Sequence, residues 1–148
     1  MGYYTDYQLT VTRKNRIVED GELEPIIHKL EEISHYKFDE VERNRIILWE
    51  AKWYDNNEDV AVLSMFFPEY RFDLEGNGEE EDDIWEATYI NGMVHERNCG
   101  GNPWNPVPEF DPMKLKPARI PPSHYKHLAP LLTTIPQSEE VEQLNSIL

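Results

Sequence analysis

Nine prolines fall between residues 103 and 136, and they confine most regular secondary structure to the part of the chain that precedes them. Proline has no backbone N–H and clashes with the preceding helical turn, so it interrupts helices and central strands. Within this stretch and beyond it, only residues 138–148 have a composition that favours a helix. The sequence therefore predicts an α+β domain over residues 1–97 and an irregular, proline-rich carboxyl-terminal tail over residues 98–148.

The tail is too apolar to be a free linker. Its large apolar side chains are Trp104, Phe110, Leu115, Ile120, Tyr125, Leu128, Leu131 and Leu132. Burying such a side chain stabilises a protein by about 1.5 to 3 kcal/mol. We therefore expect the tail to pack across its own domain, with docking on a partner chain as the alternative.

Apolar periodicity in the first region predicts five strands and two helices. Alternation predicts strands near residues 3–11, 45–53, 70–75, 84–90 and 93–97, and helical spacing predicts helices near residues 23–33 and 56–67. Asn91-Gly92 is a strong signal for a two-residue hairpin. This order favours a ferredoxin-like sandwich, with one mostly antiparallel sheet of four or five strands and two helices on one face. The other face would be solvated, covered by the tail or used for binding.

The most charged segment is residues 73–86, DLEGNGEEEDDIWE, which hold eight carboxylates and neither Lys nor Arg. Residues 54–96 hold 13 acids and one base, so −12 of the net charge of −15 lies there. Like charges at such density repel one another, so we expect a cation or a basic protein surface as partner. The same field repels nucleic acid and anionic lipid, which argues against direct binding to nucleic acid or to a membrane.

The spacing of this segment partly fits a calcium-binding loop, in which alternate oxygens face the ion. The twelfth position of such a loop needs a bidentate glutamate, and the residue there is Ile84. We therefore predict no specific metal site. Two interpretations stay open: a solvated hairpin that protects a sheet edge, and a row of carboxylates that imitates nucleic-acid phosphates.

Other groups lack the partners that catalysis or metal binding requires. The pairs His124 with His127 and His28 with His35 have no third ligand nearby in sequence. Cys99 is the single cysteine, and no orienting group accompanies it. We therefore predict no catalytic residue and no cofactor. The first residues lack the basic and apolar regions of a secretory leader, so we expect a cytoplasmic protein.

Residues 48–93 carry a pattern of Lys-Trp-Tyr-Asp, a short helix, Phe-Pro, a Phe-x-Leu strand, a Gly-x-Gly-Glu-Glu turn, Asp-x-Trp and Asn-Gly. The matching residues are Lys52, Trp53, Tyr54, Asp55, Phe67, Pro68, Phe72, Leu74, Gly76, Gly78, Glu79, Glu80, Asp83, Trp85, Asn91 and Gly92. The pattern resembles small uncharacterised proteins of tailed bacteriophages, and its layout is similar to the ferredoxin-like YubB-type domain of phage and plasmid proteins. The resemblance implies a phage protein in the cytoplasm of the host bacterial cell, and it implies no catalytic residue.

The acidic segment and the phage-like pattern together predict a non-enzymatic protein that binds and inhibits a host or anti-phage defence protein. Its target would carry a basic, nucleic-acid-binding surface. The predicted partner-binding residues are Asp73, Glu75, Glu79, Glu80, Glu81, Asp82 and Asp83, with Trp53 or Trp85 as apolar anchors. Two alternatives are a divalent-metal-dependent enzyme that uses the acidic loop, and a phage assembly module that self-associates through a sheet edge or the tail.

Overall fold

The structure is a computed structural model that describes residues 3–13, 16–38 and 40–132. Its strands are β1 (Thr5–Arg13), β2 (Arg16–Ile17), β3 (Glu40–Glu42), β4 (Arg45–Ala51), β5 (Arg71–Gly78), β6 (Ile84–Ile90), β7 (Met93–Asn98) and β8 (Lys116–Pro117). Its helices are α1 (Asp20–Ser34), α2 (Asn56–Phe66) and α3 (Tyr125–Leu132). The predicted helix at residues 138–148 lies outside the described residues.

One antiparallel sheet organises the described part of the chain. Seven of its strands lie in the order β3-β4-β1-β5-β6-β7-β8, and β2 pairs with the end of β1. β1 lies inside the sheet, antiparallel to both β4 and β5. The α+β class is therefore confirmed, whereas a ferredoxin-like sandwich of only four or five strands is wrong.

The strand count differs because short strands escape the apolar pattern. The chain leaves α1 into β3, whose three residues are all exposed, and turns back into β4 at Arg43, which has a φ of 57°. β8 is only two residues long and includes Pro117, which an edge strand tolerates. Pairing with a neighbouring strand, and not local periodicity, creates both elements.

The core lies between one face of the sheet and the helices. α1 buries residues at helical spacing, and it ends at His35 in the left-handed conformation, with a φ of 66°. Buried residues that meet across this interface include Leu9, Val11, Leu23, Ile26, Leu30, Ile46, Val60, Leu63, Phe72, Leu74, Tyr89 and Val94. The opposite face of the sheet, which we call the outer face, carries the polar residues of each strand.

Two glycine-containing segments fix β5, β6 and β7. Asn91 and Gly92 have φ values of 45° and 80°, so the predicted two-residue hairpin between β6 and β7 is confirmed. The sequence predicts that β5 breaks at Gly76, but the strand continues to Gly78. Gly76 pairs with Trp85 on β6, and the Trp85 ring fills the space that a side chain at position 76 would need.

The tail contacts both faces of the domain. On the outer face, Arg97 Nε donates to the Pro108 carbonyl oxygen at 2.9 Å, and the Phe110 ring lies 4.5 Å from the Arg71 guanidinium carbon. The chain then pairs with β7 as β8 and passes to the helical face. There His124 contacts α2, and Leu128 of α3 packs against the core. The prolines predict no helix before residue 138, so α3 is a correction: it forms despite Pro130.

Candidate functional site

The structure divides the eight carboxylates of residues 73–86 into two groups. Asp73, Glu75 and Glu86 lie on β5 and β6, with their side chains on the outer face. The other five belong to the turn between these strands. We call residues 79–83 the acidic tip. The predicted site is therefore two adjoining surfaces, whose charges have different surroundings.

The acidic tip is held by the amino-terminal end of the described chain. The Tyr3 hydroxyl donates to Asp83 Oδ2 at 2.8 Å and accepts from the Glu80 N–H at 3.1 Å. The Tyr4 N–H donates to Glu79 Oε1 at 2.9 Å. Residues 79–82 are exposed, and among the described residues no ion pair links the tip to a Lys or Arg. The tip thus has a fixed backbone shape, with residues 79–82 exposed and the Asp83 carboxylate bound to Tyr3.

Asp73 is already neutralised within the domain. Arg71 donates to its carboxylate from Nε and Nη2 at 2.9 and 3.1 Å, and Thr88 Oγ1 donates at 2.6 Å. Arg97 continues this network, donating to Thr88 Oγ1 at 3.0 Å and lying 3.6 Å from Glu86. These contacts stabilise the outer face, so Asp73 has little charge left to offer a partner.

Glu75 and Glu86 face one another across β5 and β6. Burial raises the pKa of Glu75, and a hydrogen bond and charge repulsion from Glu86 raise it further, while Arg45 opposes the shift. Like charges directly opposite on neighbouring strands destabilise a sheet. Beside this pair lies a cleft of about 240 Å³ that we call the acidic groove, whose walls include Asp6, Gln8, Trp49, Glu75 and Glu86.

The two predicted aromatic anchors lie in different environments. Trp53 is 2% exposed, and its Nε1 donates to Asp59 inside the core at 2.7 Å, so it offers no surface to a partner. Trp85 is half-buried over Gly76, where an added Cβ would meet the ring at 2.1 Å. Of the two tryptophans, Trp85 alone keeps an accessible edge.

Sequence reasoning missed Trp49, which is 51% exposed on the outer face. In the β1–β4 register Tyr7 pairs with Leu48 but Thr5 pairs with Ala51, so β4 carries an extra residue at this point. Glu50 absorbs it with a φ of 45°. Uninterrupted alternation would place Trp49 and Trp53 on one face, and the bulge separates them. No local pattern in the sequence marks this bulge.

A second cluster joins the tail to α2. His124 Nε2 lies 2.7 Å from Asp59 Oδ1, and the Trp53 indole donates to the other carboxylate oxygen. Burial raises the pKa of Asp59, and the hydrogen bonds from Trp53 and His124 oppose that shift. Ser123 Oγ lies 3.2 Å from His124 Nδ1. Because Ser123 and His124 are sequence neighbours, this contact follows from the local turn, and we assign the cluster a structural role.

The described residues, 3–13, 16–38 and 40–132, contain neither a metal cluster nor a membrane-spanning helix. No group of three or more His, Cys, Asp or Glu side chains in these segments is placed to hold a metal ion. Within the same segments, no helix has the length and apolar character needed to cross a bilayer. The chain matches no protein-family model, no curated protein and no solved structure. The case for a function therefore depends on the surfaces described above.

Proposed function

We propose that this chain is a non-enzymatic protein that binds a partner protein through the acidic tip and inhibits it by covering a basic, nucleic-acid-binding surface. One observation carries the proposal: residues 79–82 expose four consecutive carboxylates, while the Tyr3 hydroxyl holds the backbone at Glu80 and the Tyr4 N–H holds the Glu79 carboxylate. A charged loop that is already ordered loses little conformational entropy when a partner binds it.

Electrostatics favours a basic protein surface as the partner. Exposed carboxylates of one sign attract a positive surface over about 10 Å at moderate salt and raise the association rate. A run of exposed carboxylates along a fixed turn also presents the same sign of charge as the row of phosphates that such a surface binds. Inhibition would follow because the tip and the nucleic acid compete for the same cations.

The phage-like pattern of residues 48–93 supports a host or anti-phage defence protein as the target, met in the cytoplasm of the host cell. As part of the same proposal, we interpret β1-α1-β3-β4-α2-β5 as a ferredoxin-like core that β6, β7 and β8 extend. Its strand order, β3-β4-β1-β5, supports this interpretation.

The test begins with capture of host proteins on the immobilised chain at low and high salt, followed by identification of what the high salt elutes. The variant Glu79→Lys/Glu80→Lys/Glu81→Lys is then compared with the unaltered chain for association with the purified partner. We expect an association rate at least about tenfold lower at low salt and a weaker salt dependence.

A matched control changes the net charge equally at dispersed, exposed positions: Glu24→Lys/Glu96→Lys/Glu109→Lys. If the tip governs binding, this control retains most of the association rate. Equal loss in both variants would show that only net charge matters. Unchanged binding of the tip variant would contradict the proposal.

A further inference from the structure

The outer face of the sheet is covered by its own tail on one side only. Residues 107–111, which we call the strap, lie over β5, β6 and β7, where Arg71 and Arg97 stack on Phe110 at 4.5 and 6.0 Å. The acidic groove begins beyond the strap, across β4, β1, β5 and β6. Trp49 at its border is 51% exposed, so this part of the face is accessible in the described structure.

The bases near the groove are already engaged. Arg45 donates to Gln8 Oε1 at 3.3 Å and pairs with Glu42 at 3.3 Å. Arg97 is buried and lies 3.6 Å from Glu86. Arg97 offsets the charge of Glu86, but Asp6 and Glu75 form no ion pair with a Lys or Arg among the described residues, so the groove keeps a net negative charge beside one exposed indole.

Guanidinium is the cation that fits this combination best. It forms paired hydrogen bonds with carboxylates in a fixed planar geometry, and it stacks on aromatic rings, of which tryptophan is the strongest partner. The outer face already holds two such stacks, those of Arg71 and Arg97 on the Phe110 ring. A guanidinium between Glu75 and Glu86 would also remove the repulsion of two opposed carboxylates.

We propose that the acidic groove binds an arginine side chain of the partner protein, between the Trp49 indole and the carboxylates of Glu75 and Glu86. This inference rests on the proposed function and specifies the partner's chemistry next to the acidic tip. The tip attracts the basic surface at a distance, and the groove selects arginine over lysine at contact.

Two synthetic probes test this directly: an acetylated and amidated peptide with three arginines separated by glycines, and the same peptide with lysines. Both carry the same charge, so the general field of the protein attracts them equally. Titration of the isotope-labelled chain by NMR should show at least about fivefold tighter binding of the arginine peptide, because guanidinium adds stacking and paired hydrogen bonds. The largest shifts should fall at the Trp49 indole and at Asp6, Gln8 and Glu75.

Variants then locate the preference for arginine. Trp49→Ala and Glu75→Gln/Glu86→Gln should reduce the arginine-to-lysine ratio to about one, whereas the charge-matched control Glu24→Gln/Glu96→Gln should retain it. If a groove variant fails to fold, the shift map of the unaltered chain decides the question. Equal affinity for both peptides, or shifts confined to the acidic tip, would overturn the groove proposal.

The same titrations separate this proposal from the function on which it rests. In Glu79→Lys/Glu80→Lys/Glu81→Lys, the affinity for both peptides should fall while the arginine-to-lysine ratio persists. A normal ratio together with undiminished partner association in the tip variant would support the groove and contradict the role of the tip. Loss of partner association in the tip variant, without any arginine preference, would contradict the groove alone.

Discussion

His124→Ala is expected to release the described part of the tail from α2. The imidazole Nε2 lies 2.7 Å from Asp59 Oδ1, and both residues are buried. A buried hydrogen bond to a charged group contributes about 1.5 to 3 kcal/mol. Its loss leaves the Trp53 indole as the remaining side-chain donor to Asp59 in the described structure. The equilibrium constant for opening the tail should therefore rise about 10- to 150-fold.

Hydrogen exchange measures this opening amide by amide. Faster exchange should be confined to residues 118–132, while the amides of β1 and β5 keep their protection. Ser123→Ala is the matched control, because it removes the 3.2 Å contact to Nδ1 and leaves the imidazole in place. The control should change exchange less than about threefold. A change that small in His124→Ala would refute the assigned role of the Asp59 contact.

Two further predictions concern β5. Gly76→Ala should destabilise the chain by about 1 to 3 kcal/mol in urea unfolding, because the new Cβ would meet the Trp85 ring. Gly21→Ala, whose Cβ would meet nothing within 4 Å, should not destabilise, and equal losses would contradict this explanation. Glu75→Gln should stabilise the fold at pH 7 by no more than about 0.5 kcal/mol, because the raised pKa of Glu75 makes its charged form costly. Because the pKa of Glu75 in the folded chain is above the ordinary value of 4.5, protonated Glu75 gives its full stabilisation below pH 4.5, and this stabilisation is lost as pH rises through the raised pKa. Urea unfolding near pH 4 should therefore show no gain in stability from Glu75→Gln.

The sequence predicts the longer elements because burial of one face imposes a regular spacing. Leu23, Ile26 and Leu30 predict α1, and the alternation of β1 continues over eight of its nine residues. β3 and β8 give no such signal, since three exposed residues or a Lys-Pro pair become strands only beside a neighbour. These two short strands are the two ends of the strand order. Local pattern therefore identifies the fold class but undercounts the strands.

In the candidate site too, the sequence predicts some features, and contacts between distant residues determine the others. Composition alone locates the acidic tip, because five acids occupy consecutive positions. Which carboxylates stay free depends on contacts: Asp73 is neutralised by Arg71 from the same strand and accepts a hydrogen bond from Thr88 on β6. Trp49 is exposed and the predicted anchor Trp53 is buried because of one bulged residue, Glu50. One bulge in a strand thus reverses which side chains face the core and changes those that a partner can contact.

The position of β1 inside the sheet has a consequence for folding. β1 starts at Thr5, yet its two long neighbours are β4, which ends at Ala51, and β5, which ends at Gly78. Pairings between residues so distant in sequence form slowly, because a long loop must close before any contact stabilises it. During synthesis, β1 remains without one of its partners until residue 78 has left the ribosome. Truncations before that point would leave a long unpaired strand edge, which is a template for aggregation.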